Sequence, residues 1–440
     1  MHSRKNTFFF VVCIFVILSC SRETSQQNSK IITNDDLLGY YFKWQEKLNE
    51  SIINDFFSPP VASRIYLYSN LSINATVFNK SDSLSLLPFN PTLLIDHGLD
   101  KELASLFTFY FTSRELMFTS DILDNYYFEF KKKLELEGLN EDVIAEYEKR
   151  GKEVAESVLN YASKDNYKQS RSYKKYEIKN VQGCWSPTPP DYSDGLEPFW
   201  SKIKAICLDS SSQFRPQKPT EYSEDEKSQF VAELNEVYSA ASKNPESNEI
   251  SKYWDCNPVV LKHGGHTTIS EKKLTPGGHW LSICSKICRK EKLSFKQTTY
   301  ITTALSIGIF DGFISCWEAK YYYNYIRPIT AIVALVDPEW KPLLLTPNFP
   351  EYPSGHSVIS GTSSEILTHF FGNNFRFVDS TVVKFGNQPR SFNSFYEARD
   401  EAAISRLYGG IHFMPAINNG KIQGQNIGKF VIKKIKLKSL

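Results

Sequence analysis

The sequence carries almost no net charge, few histidines and no obvious zinc site. Its 51 basic and 49 acidic residues leave a formal net charge of +2, which argues against nucleic-acid binding, because such proteins carry a basic domain or stripe. No CxxC pair or histidine cluster has the spacing of zinc ligands. Strand-like alternation is rare and no internal repeat is visible, so the chain of 440 residues is predicted to be mainly α.

Long uncharged apolar runs are also scarce, and the one at the N-terminus is typical of a secretory signal. A short basic segment precedes FFFVVCIFVILS, which is too short for a bilayer-spanning helix of ~20 residues. The tetrapeptide ILSC at residues 17–20 resembles the bacterial lipobox, whose cysteine is lipidated. We therefore expect a lipoprotein signal peptide over residues 1–19, a lipid anchor on Cys20 and a flexible tether over residues 20–40.

This N-terminal pattern predicts an exported protein, anchored by lipid to a bacterial membrane on the periplasmic or cell-surface face. An ordinary cleaved signal with an incidental cysteine is the alternative. Beyond the signal, six cysteines remain, an even number that permits disulfides in an exported chain. Cys284 and Cys288 are one helical turn apart, which disfavours a direct bridge, and we interpret the six as core residues or structural bridges.

Helical periodicity dominates the rest of the chain. Residues 100–164 predict two or three amphipathic helices, broken near residues 138–140. Residues 180–224 are rich in proline and serine and predict extended loops, after which Ser223 and Glu226 have the spacing of a capping box. A long, largely apolar helix and two glycine-bounded helices are predicted towards the C-terminus.

Three separated motifs place unusual polar residues at predicted helix ends. Each residue alone is commonplace at a helix end or in a turn, but their joint occurrence is not. Together they offer three cations, a hydroxyl, a glycine amide and two imidazoles, which are the groups that neutralise and closely approach a tetrahedral oxyanion. The motifs are K-x6-RP with Lys320 and Arg327, PSGH with Ser354, Gly355 and His356, and SR-x5-H with Arg406 and His412.

These motifs resemble the signature of the vanadium-dependent haloperoxidases and the type 2 phosphatidic acid phosphatases, which share one helical fold and one oxyanion pocket. The resemblance is close over about residues 250–435 and leans to the haloperoxidase side in WEAKYYYNYIRPITAI and DEAAISRLYGGIHF. It implies a helical bundle domain over residues 251–440, preceded by an additional helical N-terminal region over residues 41–250.

The resemblance also implies a role for each motif residue. His356 and His412 would be catalytic, His356 as the general acid–base group and His412 as the axial vanadium ligand, or as the phosphoryl acceptor in a phosphatase. Trp317 and Phe349 match apolar positions on the halide side of chloroperoxidase-like members, although both also suit a simple aromatic core. The oxyanion, vanadate or phosphate, would be bound by Lys320, Arg327, Ser354, Gly355 and Arg406.

One position departs from the family pattern. The family commonly has an aspartate four residues after the second histidine, and this sequence has Ala416 there. A carboxylate behind an imidazole fixes its tautomer and raises its basicity. We therefore expect Asn418, Asn419 or a backbone carbonyl to substitute, or turnover to be weak.

Three functions follow from this resemblance. The first is a haloperoxidase, in which vanadate is the cofactor, hydrogen peroxide is activated and a halide is oxidised. The second is a phosphatase that uses the same pocket on a phosphomonoester without a cofactor, and the third is a non-catalytic anion-binding surface lipoprotein. The intact motif residues argue against the third, and no nucleic-acid partner is expected.

Overall fold

The computed structural model describes residues 32–79, 82, 85–86, 88, 99–241, 244–257, 260–264, 267–271 and 273–438. The predicted signal peptide and Cys20 lie outside the described residues. Helix α1 begins at Asn34, because Thr33 and Asp36 form a capping box that satisfies the first free backbone N–H groups. The helix therefore starts inside the range predicted as a tether, and the boundary placed at residue 40 is corrected to Thr33.

Five long helices and one short one occupy the described residues up to residue 170. Their bounds are α1 Asn34–Asn54, α2 Pro59–Val77, α3 Lys101–Glu115, α4 Asp121–Leu136, α5 Glu141–Ala162 and α6 Tyr167–Ser170. Helices α2, α3 and α5 begin where the side chains of Ser58, Asp100 and Asn140 accept backbone N–H groups of the first turn. The break between α4 and α5 falls at the predicted residues 138–140.

A long irregular segment over residues 171–228 crosses the surface, interrupted by a single 3₁₀ turn at Trp200–Lys202. This confirms the loops predicted for residues 180–224. Helix α7 (Gln229–Ala240) follows and begins at Ser228. The predicted capping box at Ser223 is wrong, because Ser223 Oγ instead accepts the Asp225 N–H in a turn before the helix.

The rest of the described chain contains seven further helices and two short hairpins, which confirms the mainly α class. The helices are α8 Pro245–Tyr253, α9 Pro276–Lys290, α10 Phe295–Tyr323, α11 Pro328–Leu335, α12 Gly355–Phe371, α13 Phe395–Tyr408 and α14 Met414–Lys434. The hairpins pair β1 (Val260–Gly264) with β2 (Thr267–Glu271), and β3 (Phe377–Asp379) with β4 (Arg390–Phe392), both antiparallel.

Helix α10 is the central element and joins the two regions. It packs on α2 from the N-terminal region and on α12 from the C-terminal region. Asn70 on α2 donates to Ser306 Oγ at 3.1 Å, and Thr303 Oγ1 donates to the Asn70 carbonyl at 3.1 Å. Residues 41–250 and 251–440 thus share one hydrophobic core. Among the described helices, α10 alone is long and apolar enough to cross a membrane, and that apolar stretch is fully buried.

Helices α12 and α14 approach each other backbone to backbone because α14 carries a glycine every four residues. A Cβ on Gly424 would lie 2.1 Å from the Val358 carbonyl oxygen, and one on Gly420 would lie 2.9 Å from the Ser354 carbonyl oxygen. Only hydrogen fits at such distances. The glycines therefore set the position of α12, whose first residues belong to the PSGH motif.

Candidate active site

The structure brings the three motifs together at helix ends. Lys320 lies in the last turn of α10 and Arg327 is the N-cap of α11. Ser354 is the N-cap of α12, and its Oγ accepts the Ser357 N–H at 3.4 Å. Arg406 lies in the last turn of α13, and His412 follows before α14 begins. The predicted site residues thus come from five helix ends that face one another.

A cavity of about 90 Å³ lies between these ends. Its lining combines polar and apolar residues. Gly355, His356, Arg406 and His412 line it, and so do the apolar side chains of Trp317, Phe349, Phe313 and Ile411. Both aromatic residues predicted for the halide side therefore border the cavity, with their rings 5.0 Å apart.

Two buried guanidinium groups lie beside the cavity, and each has N–H groups that donate to no acceptor in the described residues. Arg327 Nε donates to the Phe349 carbonyl and Arg327 Nη1 donates to the Ile411 carbonyl, each at 2.9 Å. Arg406 Nη1 donates to the Trp254 carbonyl at 3.3 Å. Arg327 Nη2, Arg406 Nε and Arg406 Nη2 are buried without a partner among the described residues. Unpaired buried donors are costly, and an anion would satisfy them.

The charge of these arginines is costly in the absence of an anion. Burial lowers the pKa of Arg327 to about 10, and burial also lowers the pKa of Arg406. A bound negative charge would therefore stabilise the charged form of both guanidinium groups. This environment is that of an anion site before the anion arrives.

Lys320 supports the site from behind the cavity. Its Nζ donates to the carbonyls of Pro350, Glu351 and Pro353 at 2.9, 3.0 and 2.6 Å. An ammonium has three N–H groups, and here all three go to the loop that leads into PSGH. Burial lowers the pKa of Lys320 to about 7. The side chain thus shapes the loop and adds positive charge 4.9 Å from the Phe349 ring centre.

Glu351 is the site residue that the sequence analysis missed. Its Oε1 lies 2.7 Å from His412 Nδ1 and accepts the Phe413 N–H at 3.0 Å. The expectation that Asn418, Asn419 or a backbone carbonyl holds this histidine is therefore wrong. The carboxylate comes from the other side of the pocket, 61 positions earlier in the chain. The available signal was a lone acid in the apolar stretch FPEYP, directly before PSGH.

Ala416, which stands where the family commonly has an aspartate, contributes through its backbone. Ala416 is buried on α14 and its carbonyl accepts the Ser354 N–H at 3.1 Å. This bond joins the start of α14 to the N-cap of α12. Ala416 therefore anchors the PSGH motif through its backbone, and Glu351 supplies the carboxylate.

The Glu351–His412 pair favours a neutral imidazole. Burial, and next the Arg327 guanidinium, hold the pKa of His412 well below its ordinary value. Burial raises the pKa of Glu351 to about 8, although Arg327 and Lys320 oppose this. A neutral His412 donates Nδ1–H to Glu351, which leaves the Nε2 lone pair free beside Arg327 Nη1 at 3.5 Å.

His356 is held at the mouth of the same cavity. The residue is half-buried, and its Nε2 lies 3.1 Å from Arg406 Nη1. Burial, and next the Arg406 guanidinium, hold the pKa of His356 well below its ordinary value. A neutral imidazole in this position can accept a proton, and a bound anion would offset the effect of Arg406.

Comparisons with known proteins agree with this geometry. A family model described as the VCPO second helical-bundle domain matches residues 300–339 and 333–438, which include all three motifs. No curated protein sequence matches the chain. Among solved structures, two bacterial proteins with 16% and 15% sequence identity share the fold. They are the holo and apo forms of a vanadium-dependent chloroperoxidase, with TM-scores of 0.64 and 0.62, covering 88% and 86% of this chain and 95% of each of theirs.

A third solved structure is much more similar in sequence. It is described as the first bacterial vanadium-dependent iodoperoxidase. It has 40% sequence identity and a TM-score of 0.83, and the match covers 90% of this chain and 96% of the iodoperoxidase. An identity of this size over nearly the full length of both chains, together with the converged motifs, shows that this chain belongs to the vanadium-dependent haloperoxidase family.

Proposed function

We propose that this protein binds vanadate in the cavity between Arg327, Arg406 and His412 and uses it to oxidise a halide with hydrogen peroxide. One observation carries the proposal. Three guanidinium nitrogens are buried and have no partner in the described part of the chain, beside a histidine whose Nδ1 is already bonded to Glu351. Iodide is the substrate we propose first, because the relative with 40% identity is an iodoperoxidase.

The residues present fit vanadate. Arg327 Nη2 and the two free nitrogens of Arg406 would donate to its oxygens, and so would Ser354 and the N–H of Gly355, the first residue of α12. Lys320 would contribute charge. His412 Nε2 would bind the vanadium. When bound, vanadate acts as a Lewis acid that activates peroxide.

The protein residues then divide the remaining work. Glu351 keeps His412 in the tautomer that exposes Nε2, so that the ligand is ready before the anion arrives. His356 would accept a proton from hydrogen peroxide and return it as water forms. Trp317 and Phe349 add apolar side chains to the lining, which favours a large, weakly hydrated halide such as iodide over water.

The same pocket could also hydrolyse a phosphomonoester, so the experiment compares both reactions. Purified protein is assayed with iodide and hydrogen peroxide, with and without vanadate, and in parallel with a generic phosphomonoester. We expect vanadate-dependent iodide oxidation. Phosphomonoester hydrolysis that vanadate inhibits, without any iodide oxidation, would show a phosphatase instead.

We further propose that the mature protein is tethered to a bacterial membrane through Cys20 and acts outside the cytoplasm on small molecules. The lipobox-like sequence ILSC supports this. Labelled fatty acid should enter the wild type and be absent from Cys20→Ser. Incorporation that survives the substitution would contradict the anchor without affecting the proposed reaction.

A further inference from the structure

A second cluster of reactive side chains lies in the wall of the anion cavity. His279 Nδ1 is 3.4 Å from Cys256 Sγ, and His279 Nε2 is 2.6 Å from Asp379 Oδ2. All three residues are buried. A thiol, an imidazole and a carboxylate in this order form the arrangement in which a base activates a nucleophile and a third group orients the base.

The imidazole is held firmly in this arrangement. The Trp254 ring stacks on His279, with centroids 4.7 Å apart and planes inclined by 26°. Asp379 is fixed in turn, because its Oδ1 accepts the Thr381 N–H at 2.8 Å. The ring can therefore neither flip nor turn away from the sulfur without breaking both contacts. Such rigidity is characteristic of a site in which the base keeps one orientation.

The imidazole of this cluster carries a proton over a wide pH range. Burial alone would lower the pKa of His279, but Asp379 and Cys256 outweigh it and raise the pKa to about 10. The neighbouring acid, Asp255, forms an ion pair with Lys273 at 2.5 Å, which offsets its repulsion of a negative sulfur. A protonated imidazole beside sulfur stabilises the thiolate, which is the reactive form of cysteine.

Cys256 borders two cavities that are large enough for small molecules. Cys256 lines the cavity of about 90 Å³ that contains His356 and Arg406, and it also lines a neighbouring cavity of about 270 Å³. Both exceed the ~15 Å³ that a single water molecule requires. The adjoining backbone belongs to the anion site, because the Trp254 carbonyl accepts from Arg406 Nη1. A peroxide molecule in the anion cavity is therefore close to Cys256.

We propose that Cys256, His279 and Asp379 form a second peroxide-reactive site, at which the Cys256 thiolate is oxidised to a sulfenic acid. The sulfur attacks one oxygen of hydrogen peroxide, an S–O bond forms and the O–O bond breaks. The other oxygen leaves with the electron pair of that bond and takes the proton of the His279 imidazolium, so that water is released. The sulfur is oxidised by two electrons and peroxide is reduced.

This reaction is distinct from halide oxidation and needs no vanadate. Vanadate-free protein is treated with hydrogen peroxide in its folded state, then unfolded in the presence of dimedone, so that every sulfenic acid is trapped regardless of its burial. Peptide mass spectrometry measures the adduct at each cysteine. We expect Cys256 to gain dimedone roughly tenfold faster than the other buried cysteines, because only Cys256 is held beside a charged imidazole. The internal references are Cys207, Cys284, Cys288 and Cys316, all free and buried.

Two variants test the role of the partners. His279→Gln and Asp379→Asn should each slow adduct formation at Cys256 by roughly tenfold or more, and leave the reference cysteines unchanged. Far-ultraviolet circular dichroism shows whether each variant folds. An equal rate at Cys256 and the reference cysteines of the wild type overturns the proposal, whether or not a variant folds. A fast Cys256 that remains fast in a folded His279→Gln variant overturns the activation by His279.

Discussion

His412 and Glu351 determine which imidazole nitrogen faces the cavity. The 2.7 Å bond to Nδ1 leaves Nε2 as the free atom, and both pKa directions favour the neutral ring. A neutral ring binds a metal centre and a protonated ring does not. The carboxylate therefore matters for the affinity of the anion as well as for the orientation of the ring.

Replacing Glu351 by glutamine tests this arrangement. The amide keeps the size of the side chain but cannot become a carboxylate beside His412. We expect Glu351→Gln to weaken vanadate binding by roughly 10–100-fold, the usual effect of losing such a partner. The measurement is a vanadate titration of purified protein. Unchanged affinity would show that the carboxylate does not support the ligand.

The matched comparison is Ala416→Asp, which restores the residue usual in the family. Because Glu351 already bonds to His412, a carboxylate at the buried Ala416 position has no evident partner and only adds the cost of burial. This variant should lower stability without strengthening vanadate binding.

His356 should affect turnover and leave binding largely intact. It bonds to Arg406 at the cavity mouth, and the vanadium ligand is proposed to be His412. We expect His356→Ala to retain measurable vanadate binding while iodide oxidation slows by about 10²–10⁴-fold, the usual contribution of a positioned acid–base group. Equal loss of binding and turnover would contradict this separation of roles.

The motif residues were predictable from sequence because each motif is local. K-x6-RP, PSGH and SR-x5-H place their residues at helix ends, and helix ends are the part of a helix that a sequence marks most clearly. Glu351 was not predictable as the partner of His412, because the two residues are far apart in the chain and meet only through the fold. For the same reason, Ala416 led us to expect the partner of His412 at Asn418 or Asn419 on α14.

Among the helices, the close approach of α12 and α14 is the feature on which the site most depends. The position of the PSGH motif depends on Gly420, Gly424 and Gly428, which face α12. We expect Gly424→Ala to destabilise the protein by about 1–3 kcal/mol, the usual cost of overfilling a tight contact. Iodide oxidation should fall with it, because α12 carries His356. Denaturant unfolding and the iodide assay give the two readouts.

Gly39→Ala is the control for that prediction. Gly39 lies on α1, and a Cβ there would meet nothing within 4 Å. Alanine is the better helix former by about 1 kcal/mol, so this variant should be as stable as the wild type or more stable. Equal effects at the two glycines would contradict the close-contact explanation for Gly424.

The His279–Asp379 pair links α9 to β3 and gives stability a defined pH range. Burial alone would lower the pKa of His279 and raise that of Asp379, but the attraction between the two residues outweighs burial in each. The pKa of His279 is therefore about 10 and that of Asp379 about 2. The Asp379 contribution is present above the ordinary value of 3.8 and is lost as pH falls through about 2. The His279 contribution is complete below 6.5 and is lost as pH rises through about 10.

The free energy of unfolding should therefore differ most between wild type and His279→Gln from about pH 4 to about pH 6.5, and the difference should shrink towards about pH 10. Denaturant unfolding of both proteins at several pH values measures it. A difference that stays constant up to about pH 10 would contradict the charged pair. This link was not predictable from the sequence, because the two residues are 100 positions apart and meet only in the folded chain.

Across the molecule, the two predicted helical regions prove to share one core. Helix α10 has the hydropathy of a membrane span and is instead enclosed by α2 and α12. The mainly α class and most helices were predictable from hydrophobic periodicity. The shared core was not, because periodicity shows which face of a helix is buried and not what covers it. A substitution in α2 that shifts α10 should therefore also shift Lys320 at the anion site.

The central claim is that one vanadate binds to this cavity through His412. Equilibrium dialysis of vanadate against wild type, His412→Ala and His369→Ala tests it most directly. His369 lies in the last turn of α12 and does not line the cavity, so its loss controls for the removal of any histidine. We predict one vanadate per chain in wild type and His369→Ala, and none in His412→Ala. Equal binding by His412→Ala and the wild type, or no binding by the wild type, would contradict the account.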